Sequence, residues 1–424
     1  MSLGAEDMQA LKRAFLAQDE VLFNDVVESL LVKDITVAVL PDFFVNQSRW
    51  KTYADCDRLY GWIHVEDLVP DRPRKYLEFG TAVHKGMVVA NEHGGTEEAF
   101  AKATQAAEAE FRKTMSGIKL PQDEVDLQDG VATIQRMLPA YYQEYKAKGQ
   151  LWKPLGVELA FCVEVGEGTG VYLVGRLDNL VTYMSGLWIV DYKTMARLDR
   201  RDFLKYEIDV QLTAYIYGGT KQLTLEAKER GEPPVIIRGA IIDGLIKTAE
   251  PQFHRELYTR SIQDLREFEL EFCMKTWEIA AKHAMVRKDR KAFDAYNSRM
   301  WLLGEQGGWK CIFPKNTQQC FRYGTCAFRD LCVKDNDVRR LAYKKRSPDY
   351  VDFAGMKKSG EYRAWMDPEA VAAHTPYDEC QVDECLLCSV RDCPHSCELH
   401  YHHDGCPACL DEAQNARYRA GVTL

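Results

Sequence analysis

The chain has 424 residues, 46% of them hydrophobic, with a formal net charge of -9, enough apolar content for one large domain with additions or for two domains. That acidic balance argues against a protein that coats nucleic acid without specificity, while local basic surface remains open. No stretch reaches the roughly 18 uninterrupted apolar residues of a membrane helix, and "MSLGAEDMQALKRAF" lacks a secretory pattern, so a cytosolic protein with no membrane partner is expected.

Residues 1 to 45 carry helical periodicity in "MQALKRAFLAQDEVLFNDVVESLLV" and form the first expected unit, a helical docking or packing segment. An aromatic, basic stretch, "RWKTYADCDRLYGW", follows. "LEFGTAVHKGMVVANEH" then opens a helix whose small residues permit close packing, and helical period continues from about Glu97 to Lys148. From Leu155 to Thr194 the pattern turns to strands: "LGVELAFCVEV", "VYLVGRLDNLVTY" and "LWIVDYKT" are separated by "GEGTG" and "MSG" and read as a three-stranded antiparallel meander. Beyond it, "DFLKYEIDVQLTAYIYGGTKQLTLEAKERG" reads as helix and "PPVIIRGAIIDGLIK" as one or two strands. Residues 255 to about 298 read as a long charged helix. Helices on a mixed sheet define an α/β class.

The meander carries the chemistry. A turn over Met184 and Ser185 pairs Tyr183 with Gly186, and counting outward sets Asp178 opposite Asp191. Cross-strand partners share a face, as do residues two apart on one strand, so Asp178, Asp191 and Lys193 converge. Facing carboxylates repel and are costly to bury, whereas a hard divalent ion such as Mg²⁺ or Mn²⁺ wants such oxygen donors. A lysine beside that ion can orient or help deprotonate an attacking water and stabilise charge on a phosphate in flight, which is phosphodiester hydrolysis chemistry. The same triplet also fits a plain surface ion pair on an exposed sheet face.

Four motifs in order resemble the PD-(D/E)XK nuclease superfamily over residues 46 to 335, in its RecB-type branch with the CRISPR-associated and phage iron–sulfur exonucleases: "FGTAVHKG" with His84, "GRLDNLV" with Asp178, "IVDYKT" with Asp191 and Lys193, and "QLTAYIYG" with Gln211 and Tyr215. The resemblance implies a restriction-endonuclease-like mixed sheet flanked by helices. It implies His84 as a helix-borne metal ligand, Asp178 and Asp191 as carboxylate ligands and the Tyr192 carbonyl as a further donor, with Lys193 positioning the water. Gln211 and Tyr215, four apart on one helix face, are set to reach the DNA backbone or the lysine, and Glu158 is an accessory acid. The function implied is a metal-dependent DNA nuclease, an exonuclease on single-stranded or end-containing DNA in recombination, repair or replication, in a host-cell cytoplasm if the protein is viral. A non-cleaving DNA- or protein-binding scaffold is the alternative, against which the intact Asp178, Asp191 and Lys193 speak.

In a reducing compartment the 14 cysteines read as core residues, metal ligands or nucleophiles rather than disulfides. "CFRYGTCAFRDLC" spaces Cys320, Cys326 and Cys332 evenly, and such soft thiolates suit zinc or an iron–sulfur cluster. The resemblance implies a 4Fe-4S cluster with a fourth ligand far upstream, where Cys56 stands, stapling the two ends of the 46–346 nuclease domain. The CRISPR-associated members set two of these cysteines only two residues apart, whereas both gaps here are five residues, so Cys311 is an alternative ligand. Cys162 and Cys273 read as core residues. Ten Lys or Arg between Lys310 and Arg346 face three Asp, with Phe321, Tyr323 and Phe328 interleaved, a surface suited to a single strand. Residues 347–424 are a linker and a Cys/His-rich module in which "CLLC" and "CPAC" are a strong zinc signal. Cys385, Cys388, Cys406 and Cys409 make one site, and Cys393, Cys397 and histidines such as His400 and His402 make another. So short a segment needs Zn²⁺ to fold, and its acidic flanks favour a protein partner.

Overall fold

The structure, a computed structural model, describes residues 43–71, 75–117, 121–166, 168–287, 308–322 and 325–346. The expected N-terminal helical segment up to residue 42 and the whole Cys/His-rich module lie outside the described residues.

A central mixed sheet is built from strands β1 (Phe43–Asn46), β3 (Pro154–Glu164), β4 (Val171–Tyr183), β5 (Gly186–Met195), β6 (Ile237–Ile246) and β7 (Gln252–Tyr258). A separate ribbon pairs β2 (Leu68–Pro70) with β8 (Tyr343–Lys345). The meander is present as β3, β4 and β5, all antiparallel, and β5 then pairs parallel with β6. Met184 and Ser185 both take positive φ, 48° and 58°, the geometry of a tight hairpin turn, which fixes Tyr183 opposite Gly186. The β4–β5 ladder runs from that pair to Asn179 opposite Val190, one step short of Asp178 and Asp191.

One edge of β4 is divided between two neighbours. Parallel β1 takes Val171 to Val174 and β5 takes Asn179 to Tyr183. The sheet forks between them, and Asp178 stands at the fork.

Helices cover both faces. On one side lie α3 (Lys75–Glu92), α4 (Glu97–Thr114) and α5 (Pro121–Ala147), whose Phe79, Val83, Ile134 and Leu138 pack on Trp188, Val190 and Ile241. On the other lie α7 (Val210–Glu229), reached through the short α6 (Arg200–Leu204), and α8 (Ile262–Val286), packed on Leu187, Ile189, Ala240 and Ile242. The period of two along β5 therefore sends Trp188, Val190 and Tyr192 to one helical layer and Leu187, Ile189, Asp191 and Lys193 to the other.

Two readings of the sequence are corrected here. The long helix expected from residue 255 begins at Ile262, because Gln252–Tyr258 alternates as a strand that pairs antiparallel with β6, and Ser261 and Asp264 close a capping box. The helix expected through residues 202–231 is broken at Asp209, whose carboxylate caps α7 by accepting from the Gln211 and Leu212 amides. The aromatic stretch, given no element from sequence, folds as α1 (Gln47–Asp55) and α2 (Asp57–His64).

Both helices dock on the end of α8. Nε2 of His283 accepts from the Tyr60 hydroxyl at 2.8 Å and faces Arg49 Nη2 at 3.5 Å. Burial, helped by the Arg49 charge, pushes His283 down to about 3. The native state therefore holds it neutral, while the unfolded chain protonates it below about 6.5. This contribution to stability is complete above pH 6.5 and is lost as pH falls toward 3, by up to about 1.4 kcal/mol per unit. His283→Gln is expected to flatten the acid limb of a stability–pH curve measured by urea unfolding. Equal slopes in the two proteins would count against this account.

Candidate active site

Seven side chains from α3, β3, β4, β5 and α7 meet at the fork. His84, on α3, places Nε2 2.8 Å from Glu158 Oε1 and Nδ1 3.3 Å from Asp178 Oδ2. Glu158 lies opposite Asp178 across the β3–β4 ladder at a φ of 54°, a left-handed conformation that costs a non-glycine residue and is typical of functional sites. Its second oxygen meets Arg176 at 3.2 Å. Asp178 Oδ2 accepts the Tyr192 amide at 3.1 Å, in place of the ladder that stops one residue earlier.

Asp191 is buried. Lys193 Nζ is 2.6 Å from its Oδ2, Gln211 Nε2 donates to its Oδ1 at 3.1 Å, and Lys193 donates to Gln211 Oε1 at 3.2 Å, closing a three-residue ring. Gln211 is fixed by the Asp209 cap and by the buried Arg260, which donates to the Tyr206 and Asp209 carbonyls and to Thr213 Oγ1. One turn later, Tyr215 stands edge-on to Phe161 with ring centroids 6.3 Å apart. Phe161 itself fits only because Gly175 and Gly218 lack side chains: a Cβ on either would lie 2.4 or 2.2 Å from its ring. These glycines let α7 sit close enough to bring Gln211 and Tyr215 to β5.

Burial disfavours a charged His84, but its hydrogen bonds to Asp178 and Glu158 and their charges outweigh that and push it up to about 10. Burial pushes the Asp191 carboxyl up, opposed by Lys193 and assisted by Asp178. Lys193 is likewise opposed by burial, yet Asp191 and Asp178 raise it, so it is an ammonium at neutral pH.

These residues fit a divalent cation. One donor atom each from His84, Glu158 and Asp178 lie within 4.8 Å of one another, and the buried Asp191 carboxylate, paired with Lys193, stands beside them. The imidazolium of His84 occupies the electrostatic position such an ion would take, and its use as a ligand requires loss of that proton. The tight trio includes Glu158, ranked only as an accessory from sequence, while Asp191 faces Lys193 and Gln211. Tyr192 sends its side chain to the opposite layer, where its hydroxyl accepts from Asn91 and Asn179. Arg176, two residues before Asp178, was not singled out from sequence; its signal was its place in "GRLD".

Cys56, Cys320, Cys326 and Cys332 line one cavity of about 850 Å³. Trp62 Nε1 donates to Cys332 Sγ at 3.3 Å and the Asn316 amide to Cys56 Sγ at 3.5 Å. Burial raises the Cys326 thiol, and the nearby Cys332, Cys320 and Cys56 raise it further. Cys311 is exposed and does not line this cavity. Cys273 is buried and donates to the Val165 carbonyl, and Cys162 is half-buried.

The fold and this site define a mixed α/β scaffold with a cluster of carboxylates, a histidine and a lysine at the fork of its sheet. The family model for the PD-(D/E)XK nuclease superfamily matches residues 45–333, and the chain belongs to that superfamily. A crystal structure from Eubacterium rectale, named a "putative exonuclease", is similar at 18% identity with a TM-score of 0.35, covering 60% of this chain and 83% of that one. No curated protein matches this chain.

Proposed function

We propose that this chain is a metal-dependent deoxyribonuclease acting as an exonuclease on single-stranded or end-containing DNA, in recombination, repair or replication. The observation that carries the reading is the convergence of His84, Glu158, Asp178, Asp191, Lys193, Gln211 and Tyr215 from five elements on one cleft. Mg²⁺ or Mn²⁺ held by His84, Glu158, Asp178 and Asp191, with the Tyr192 carbonyl, would polarise the scissile phosphate and acidify the attacking water. The Lys193 ammonium, fixed by Asp191 and Gln211, offers its remaining N–H to that water or to a phosphate oxygen as charge builds there. Gln211 holds the lysine at fixed geometry, and Tyr215 borders the strand's path. Arg176, half in solvent beside Glu158, is placed to meet the DNA backbone.

The four-cysteine cavity supports a 4Fe-4S cluster over a single zinc ion. Tetrahedral zinc with bonds of about 2.3 Å needs sulfurs about 3.8 Å apart, whereas among the described residues no three cysteine sulfurs lie within 4.8 Å of one another. Such a cluster would join α2 to residues 316–332. Anaerobically purified protein is expected to be brown, and Cys326→Ser to lose iron and the visible absorbance. Stoichiometric zinc without iron would contradict this. The Cys/His-rich tail is assigned to Zn²⁺ and a protein partner, and the chain to the cytoplasm, of a host if it is viral.

The test is hydrolysis of end-labelled single- and double-stranded DNA in Mn²⁺ or Mg²⁺, where the product ladder reports polarity. Binding of every substrate without cleavage of any would favour a scaffold instead.

A further inference from the structure

On the α3–α5 side of the sheet, a cavity of about 360 Å³ is lined by Lys75 and Phe79 of α3, Asp129, Thr133 and Arg136 of α5, and Lys247. Its cations are unequally engaged. Lys75 pairs with Asp126 at 3.0 Å and Asp129 at 3.7 Å. Arg136 and the Lys247 amine have no carboxylate partner among the described residues. Lys247 lies over the Phe79 ring at 4.9 Å, its backbone amide tied to the Met195 carbonyl. Burial, and then the charge of Lys75, lower its affinity for a proton. A half-buried ammonium facing other cations, with only Asp129 among the lining residues to offset them, is a position that an anion would relieve.

The cavity is joined to the reactive groups through α3 and the end of β5. Phe79 precedes His84 by five residues on α3, so the two side chains leave the helix about 140° apart. Met195, to which Lys247 is tied, lies two residues beyond Lys193, and a Cβ on Gly80 would come within 3.3 Å of Thr194 Oγ1, so α3 and the end of β5 touch between the two sites.

Resting on the nuclease reading above, we propose that Arg136, Lys247 and Lys75 form a phosphate-binding pocket that holds the DNA strand on the α3–α5 side of the sheet. The phosphate is either a strand's terminal monoester or an internal diester, and the test separates the two. Anisotropy binding in EDTA is measured across salt with 5′-phosphorylated, 3′-phosphorylated and unphosphorylated oligonucleotides, for full-length wild type and for the Arg136→Gln, Lys247→Gln double variant. The variant is expected to bind about tenfold or more weakly, with a salt slope smaller by roughly one to two. Weakening confined to one phosphorylated end identifies a terminal phosphate; equal weakening of all three identifies an internal one. Arg136→Lys with Lys247→Arg should retain binding, separating charge from fold. Wild-type affinity and slope in the double variant, or no binding by wild type, would overturn the proposal. Pocket-dependent binding by a protein that cleaves nothing in Mg²⁺ would sink the nuclease reading while leaving the pocket standing.

Discussion

Lys193→Ala is expected to reduce metal-dependent DNA cleavage by about 10²- to 10³-fold or more, the cost of removing one preorganised donor from a site of developing charge. The side chain is held by Asp191 at 2.6 Å and Gln211 at 3.2 Å, so its ammonium is oriented before substrate arrives. Its removal also strips the buried Asp191 of its countercharge, and that carboxyl, already raised by burial, rises further. DNA affinity should change only a few-fold, since the cations proposed to meet the backbone, Arg176, Arg136 and Lys247, are left in place. Single-turnover cleavage beside an anisotropy titration checks both statements, and a variant cutting at the wild-type rate would show that Lys193 has no part in the chemistry.

Arg255→Ala is expected to destabilise the fold by about 3–5 kcal/mol, the usual penalty for leaving a buried charge without its partner. Asp243 on β6 is fully buried, and its Oδ2 accepts from Tyr141 at 2.6 Å, Trp152 Nε1 at 2.8 Å and Arg255 Nε at 2.9 Å. The Arg255 guanidinium lies over the rings of Tyr145 and Trp152, at 3.5 and 3.9 Å from their centroids, and also donates to the Gln150 carbonyl and the Tyr141 hydroxyl. Substitution therefore removes a charge, a stacking plate and a brace that ties α5 and residues 150–152 to β6 and β7. Arg255→Lys restores the charge but not the planar fork, so it should recover only part of the loss. Urea midpoints of the three proteins test this, and a loss under about 1 kcal/mol in Arg255→Ala would contradict it.

Much of the site was legible because strand geometry is periodic. Once the hairpin turn was placed at Met184 and Ser185, a period of two set Asp178, Asp191 and Lys193 on one face, and the observed register starts from the same Tyr183–Gly186 pair. The helix period likewise put Gln211 and Tyr215 together. What escaped was tertiary. Glu158 joins His84 because its backbone takes a left-handed turn inside a strand, which no local pattern announces. The pairing of Asp243 with Arg255 depends on β7, hidden in sequence because "QFHRELY" was absorbed into the charged helical pattern that follows it. The pocket of Arg136 and Lys247 joins side chains more than a hundred residues apart, and each alone reads as an ordinary surface cation. The two-helix fold of "RWKTYADCDRLYGW" follows from packing of Tyr53 and Tyr60 on Phe313, a partner far along the chain.

The most direct test of the central claim is the rate of end-labelled DNA cleavage as a function of Mn²⁺ concentration, measured for wild type and Asp191→Asn in parallel. A saturable, EDTA-sensitive rate in wild type that vanishes in Asp191→Asn is the predicted result. Cleavage that persists in EDTA, or that Asp191→Asn retains at the wild-type level, would contradict a metal-dependent nuclease centred on this cleft.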